Sequence, residues 1–76
     1  MKVAVVQHDI VWCDREANFE RLAPRVAEAA REGAGLILLS ETFSTGFAVE
    51  SETFAEPQDG PSSQFLRAQA MQHRVW

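Results

Sequence analysis

The sequence has one cysteine, Cys13, and no Cys/His cluster with the spacing of a zinc site. An internal disulfide is therefore excluded. No apolar run approaches the roughly 18 residues needed to span a bilayer. Met1-Lys2 leads directly into an apolar stretch that is too short for a signal-peptide core. These absences predict a cytoplasmic protein without a membrane partner.

Positive charge is missing from the middle of the chain, because no Lys or Arg lies between Glu32 and Arg67. That segment has a local charge of about −5, contributed by Glu41, Glu50, Glu52, Glu56 and Asp59. Nucleic-acid binding needs clustered basic residues, so that class of partner is excluded.

The 76 residues are 46% hydrophobic and 24% charged, which is the composition of a globular chain. Residues 2–7 read as a strand, because Val3 to Val6 are β-rich and polar residues follow. A helix is predicted over 15–32, with Asp14 as its N-cap and Gly33 as its stop. Pro24 predicts a kink or a restarted helix near residue 20.

Residues 36–39 form an apolar run that is typical of a parallel strand buried on both faces. We predict a long loop with an acidic rim over 42–60, a helix beginning near Pro61, and the first step of a third strand at Val75-Trp76. One helix layer covers only one face of such a sheet. We therefore expect residues 1–76 to be the N-terminal part of a larger α/β domain.

Glu41 lies just past the second strand, and Asp9 lies just past the first. In a parallel α/β sheet, ligands collect outside the carboxyl ends of the strands. A carboxylate at that edge can act as a general base. It can equally be a junction residue that hydrogen-bonds loop amides, and the residues alone leave both readings open.

The stretches "VAVVQHDIVWCDREANFERL", "EGAGLILLSETFSTGF" and "DGPSSQFLRAQAMQHRV" resemble the N-terminal part of the nitrilase superfamily of carbon–nitrogen hydrolases. The likeness is greatest to the omega-amidase-like branch. That branch has a Trp-x-Asp and an Asn at the first helix, and Glu-x-Phe-x-x-Gly-Phe after the second strand. The matching residues here are Trp12, Asp14, Asn18, Glu41, Phe43, Gly46 and Phe47.

The resemblance implies a Glu-Lys-Cys triad in which only the glutamate maps onto this chain, as Glu41. Its implied role is general base, taking the proton of a cysteine thiol and later activating water. Lys2 and Cys13 do not match the other two positions, so the segment alone is expected to be inactive. Ser40 stands where the family usually has proline.

The resemblance further implies a four-layer α-β-β-α sandwich, no cofactor, no metal, a small-molecule amide substrate and a homo-oligomer of the full-length protein. Phe43 and Phe47 are candidate walls of a substrate pocket, or else they plug the top of the core. An omega-amidase substrate carries a carboxylate that needs a cation, which this segment does not supply near Glu41.

Other readings remain. Asp9 and Glu41 could form a magnesium-binding pair, although no third acid lies beside Asp9. The chain could also be a non-catalytic α/β module that associates with other chains through an apolar sheet face. His8 and His73 are isolated and read as surface or junction residues. No Gly-x-Ser-x-Gly elbow indicates a serine hydrolase.

Overall fold

The computed structural model describes residues 1–47 and 51–76, with the backbone alone at 51 and 52. The elements are, in chain order, β1 (Lys2–Val6), α1 (Arg15–Arg31), β2 (Ala34–Leu39), α2 (Ser51–Phe54) and α3 (Pro61–His73). The short helix α2 falls inside the segment 42–60, so the prediction of an entirely irregular loop there is wrong. Glu50 of the predicted acidic rim lies outside the described residues.

β1 and β2 pair in parallel, with Val3 opposite Leu36 and Val5 opposite Leu38. This confirms the predicted β-α-β unit. β2 begins at Ala34, which is earlier than predicted, because Ala34 already pairs with Lys2. Gly33, with φ +95°, turns the chain from α1 into the strand.

The sheet of the described residues has two strands, and the predicted third strand is represented only by two backbone hydrogen bonds at Trp76. The Trp76 N–H donates to the Gly35 carbonyl at 2.9 Å, and the Trp76 carbonyl accepts from the Ile37 N–H at 2.9 Å. Flanking bonds of this kind are those of a parallel ladder. β2 therefore has backbone hydrogen-bond partners on both sides, β1 on one and Trp76 on the other.

α1 begins where the Asp14 carboxylate accepts the Ala17 N–H at 3.0 Å, which confirms the predicted cap. The helix then continues to Arg31 as one element, so the predicted restart near residue 20 is wrong. Pro24 and Glu20 both lie on the exposed side of α1. Water can therefore replace the backbone hydrogen bond that proline removes from the Glu20 carbonyl.

The core lies on one face of the sheet, where Leu22 of α1 is fully buried against Val6 and Phe43. Phe19 stacks on Phe65 of α3 with ring centroids 4.5 Å apart, and Phe43 lies 6.4 Å from Phe19. Offset and tilted ring pairs of this kind add to the energy of apolar burial. α1 and α3 are thus joined over the sheet through aromatic side chains.

The opposite face of the sheet, here called the open face, consists of Val3, Val5 and Leu38. Their exposed fractions are 51%, 70% and 46%. The open face agrees with the prediction that helices from this segment cover one side only. That a second sheet covers it stays a prediction. Among the described helices, none is long and apolar enough to cross a membrane.

Glu56 joins the segment after α2 to both long helices. Its carboxylate accepts from Arg15 Nε at 2.7 Å and from the Ser62 N–H and hydroxyl, each at 2.6 Å. Arg15 also donates to the Phe54 carbonyl. Gly60 has no side chain with which to cap α3, so Glu56 supplies the acceptor at its first turn. With its side chain 17% exposed, Glu56 is not part of a solvent-facing rim, and that prediction is wrong for this residue.

The hydrogen bonds of Glu56 predict a pH-dependent stability. Burial raises the pKa of this carboxyl, but the bonds from Ser62 and the charge of Arg15 more than offset burial and hold its pKa below the ordinary value of 4.5. A lowered folded-state pKa gives stability that is complete above pH 4.5 and is lost as pH falls through the folded-state value. Glu56→Gln should therefore lower the free energy of unfolding at pH 7 by about 1–3 kcal/mol, and by less in acid.

Chemical denaturation of the wild type and of Glu56→Gln, from pH 7 down to pH 3, measures the difference in the free energy of unfolding. Glu28→Gln, an exposed change on α1, is the control and should leave the curve unchanged. A Glu56→Gln deficit that stays constant down to pH 3 would contradict the role assigned to the Glu56 carboxylate.

Candidate functional site

The parallel pairing of β1 and β2 brings their carboxyl ends to one edge of the sheet. Two connections leave from that edge: the β1 loop, residues 7–14, and the β2 loop, residues 40–47. The β2 loop is a compact turn in which the Phe43 N–H donates to the Ser40 carbonyl at 3.2 Å and the Gly46 N–H donates to the Thr42 carbonyl at 2.9 Å. Glu41 lies at the start of this turn, and its side chain is exposed.

Asn18, in the first turns of α1, lies between the two loops and is fully buried. Its Nδ2 donates to the Ser44 carbonyl at 2.7 Å and to the Val11 carbonyl at 2.8 Å. Its Oδ1 accepts the Val11 N–H at 2.7 Å and lies 3.2 Å from His8 Nε2. Leaving a buried group of this kind without a partner costs about 1–3 kcal/mol. Asn18 therefore links the β1 loop to the β2 loop.

Two further contacts join the loops beside Asn18. The Cys13 N–H donates to the Thr45 carbonyl at 2.8 Å. Gly46, with φ +75°, lies so close to Trp12 that a Cβ there would come within 3.0 Å of Trp12 Cε3. Glycine is favoured at this position both by its positive φ and by the short distance to the indole.

The candidate site residues lie in different environments. No hydrogen bond or ion pair engages the Glu41 carboxylate within the described part of the chain. Phe43 is 9% exposed and belongs to the core, whereas Phe47 is 75% exposed. The burial of Phe43 favours the alternative in which it plugs the top of the core. Whether either ring contacts a substrate stays a prediction.

Asp9 lies beside a cation of the chain. Arg21 of α1 donates from Nη1 to the Asp9 backbone carbonyl at 2.7 Å and lies 3.8 Å from its carboxylate. Within residues 1–47 and 53–76, whose side chains are described, no group of three His, Cys, Asp or Glu could hold a metal ion. The geometry therefore offers no support for a magnesium-binding pair of Asp9 and Glu41.

Buried polar atoms mark the loop junction. His8 Nδ1 and the Ser40 hydroxyl are buried without a partner among the described residues. The contact of His8 Nε2 with an amide oxygen assigns the ring proton to Nε2. The buried Ser40 hydroxyl precedes Glu41, at the position where the resembling family usually has proline. Sequence reasoning gave no role to either atom, since burial of single polar atoms has no sequence signal.

An apolar pocket of the described residues lies elsewhere. It has a volume of about 530 Å³, and its apolar lining includes Ile37, Leu39, Phe65, Met71 and Trp76. It lies between β2 and α3, and Glu41 does not line it. The cavity is an uncovered part of the apolar layer, distinct from the carboxylate at the edge of the sheet.

Comparison with known proteins gives two matches. The chain matches the carbon-nitrogen hydrolase family over residues 2–76. It is 40% identical over 47 residues to an arylacetonitrilase of Aspergillus niger, a match that covers 62% of this chain and 14% of that protein. No solved structure matches the chain significantly.

The Gly46–Trp12 contact gives a testable prediction. Gly46→Ala should lower the free energy of unfolding by more than the roughly 1–2 kcal/mol of left-handed strain alone, because the methyl group also meets the indole. Gly33→Ala is the matched control, since Gly33 has φ +95° but nothing within 4 Å of its Cβ position.

Thermal or chemical denaturation of both variants measures the two costs. Combining Gly46→Ala with Trp12→Ala should remove the excess over Gly33→Ala. Equal losses for the two glycine variants would show that Trp12 does not press on the β2 loop.

Proposed function

This chain belongs to the carbon-nitrogen hydrolase family, and on that premise we propose that it is part of an enzyme in which Glu41 is the general base for hydrolysis of a non-peptide carbon–nitrogen bond. The observation that carries the proposal is the placement of Glu41, exposed just past the carboxyl end of the parallel strand β2. Ligands of α/β sheets collect at that edge. The loop bearing Glu41 is held there by hydrogen bonds from the β1 loop and α1.

The proposed substrate is an amide, which water converts to a carboxylate and ammonia. Glu41 accepts the proton of a cysteine thiol, the thiolate attacks the amide carbon, and ammonia leaves with a proton. Glu41 then activates water, which hydrolyses the thioester and regenerates the thiol. The nucleophilic cysteine and the lysine of this triad are proposed to come from residues outside these 76.

The contacts of Lys2 and Cys13 support this division of roles. Lys2 is the first residue of β1, so it lies at the amino ends of the two strands, whereas Glu41 lies at their carboxyl ends. The Lys2 Nζ donates to the Glu32 carbonyl at 2.7 Å. Cys13 is half-buried in the β1 loop and has φ +55°. Its backbone N–H is engaged with the β2 loop. Neither residue is proposed to take part in the reaction.

A nitrile is the second candidate substrate, because the relative from Aspergillus niger is named an arylacetonitrilase. The match spans 14% of that protein, so the activity of the whole enzyme is a proposal. Phe47, which is 75% exposed at the end of the β2 loop, is the proposed contact for an apolar part of either substrate. Phe43 is proposed to hold the β2 loop in place by packing its ring into the core.

The omega-amidase-like assignment needs a cation for the substrate carboxylate. The segment from Gly33 to Leu66 contains no Lys or Arg. We therefore propose that such a cation is supplied from outside this segment, or that the far end of the substrate is neutral. The absence of a cofactor and assembly as a homo-oligomer stay predictions from the resemblance, and a cytoplasmic location stays a prediction from the composition of the sequence.

The decisive variant is Glu41→Gln in the enzyme that contains this chain. Loss of a general base should lower kcat by roughly 10²–10⁴-fold, while KM and the unfolding midpoint change little because the side chain is exposed and keeps its size. Ammonia release from an amide and from a nitrile measures the rate. Glu20→Gln, on the exposed side of α1, is the matched control and should retain full activity. Normal turnover by Glu41→Gln would remove Glu41 from the mechanism.

A further inference from the structure

We propose that Asn18 is a positioning residue for Glu41, fixing the β2 loop against the β1 loop so that the carboxylate meets the reacting groups. The proposal rests on the function proposed above. Asn18 is fully buried, on a face of α1 that otherwise buries Leu22, Val26 and Ala29. A carboxamide in that row is not explained by apolar packing.

The hydrogen-bonding capacity of the Asn18 side chain is fully used. Nδ2 has two protons, which it donates to the carbonyls of Val11 and Ser44, and Oδ1 has two acceptor positions, which face the Val11 N–H and His8 Nε2. The partners lie on different loops. An aliphatic side chain of similar size could make none of these hydrogen bonds.

The hydrogen bond from Asn18 to the Ser44 carbonyl connects Asn18 to the loop that bears Glu41. The β2 loop is closed by its own hydrogen bonds, from Phe43 to Ser40 and from Gly46 to Thr42. It therefore moves largely as a unit, and Glu41 moves with it. A second hydrogen bond to the loop comes from the Cys13 backbone, which side-chain substitution does not remove. Asn18 is mounted on a capped helix, so it supplies a rigid reference for the loop.

Misplacement of a catalytic group by about 1 Å costs on the order of 10²-fold in rate. Asn18→Asp keeps the shape of the side chain but replaces Nδ2 by an oxygen. When ionised, that oxygen repels the carbonyls of Val11 and Ser44, and when protonated it donates to one of them. At pH 8, kcat should fall by roughly 10–100-fold with KM little changed.

Asn18→Ser is the companion variant, because serine is too short to reach Ser44 and leaves room for water between the loops. It introduces no charge, so a kcat loss in this variant follows from the missing hydrogen bonds and not from repulsion of the Val11 and Ser44 carbonyls. Its smaller perturbation also gives a readout if Asn18→Asp does not fold. Val26→Ala is the control for stability alone, since Val26 is 4% exposed on the same helix but far along it from the loops.

The measurements are kcat, KM and the unfolding midpoint of each variant in the complete enzyme between pH 6 and 9. Reduced kcat in both Asn18 variants, with activity retained in Val26→Ala at an equal or greater loss of stability, supports the positioning role. Normal kcat in folded Asn18 variants, or kcat losses that follow stability alone in all three variants, overturns it. Glu41→Gln is run in parallel. If it is inactive while the Asn18 variants are normal, only this inference fails, whereas full activity of Glu41→Gln overturns the proposed function and this inference together.

Discussion

The parallel pairing of β1 with β2 is the constraint on which the rest of the structure depends. Parallel strands require a crossover, and α1 provides it over one face of the sheet. The pairing also sends the β1 loop and the β2 loop out at the same edge, where Asn18 can reach both. A carboxylate at residue 41 is thereby placed on an edge that binds ligands in other α/β proteins.

The core and the candidate site share residues. Phe43 follows Glu41 by two positions in the chain and is buried among the aromatic rings of α1 and α3. The β2 loop is thus held both by the apolar packing of Phe43 and by the hydrogen bond from Asn18 to the Ser44 carbonyl. Apolar contacts are non-directional, whereas hydrogen bonds depend on angle. The packing therefore contributes stability and the buried amide contributes orientation.

The contacts of Glu56 connect the two long helices, α1 and α3. Glu56 accepts from Arg15 at the start of α1 and from Ser62 at the start of α3, so the amino ends of the two long helices are held together. α3 then leads to Trp76, which pairs with β2 on the edge away from β1. The open face is uncovered within the described residues. The apolar residues of β2 point to both faces of the sheet, which is the pattern of a strand that is buried on both sides.

The sequence by itself determined the β-α-β order and the later helix at Pro61, the cap at Asp14, the parallel character of β2 and the carboxylate at its end, but not the short helix α2. Each of these follows from local pattern, because periodicity, capping and strand burial act over a few neighbouring residues. Only the tertiary structure decided that Asn18 bridges two loops and that Glu56 faces inward. Their hydrogen-bond partners are distant in the chain. The sequence also does not distinguish a buried polar residue from an exposed one. The continuity of α1 through Pro24 was likewise decided by which side of the helix faces water.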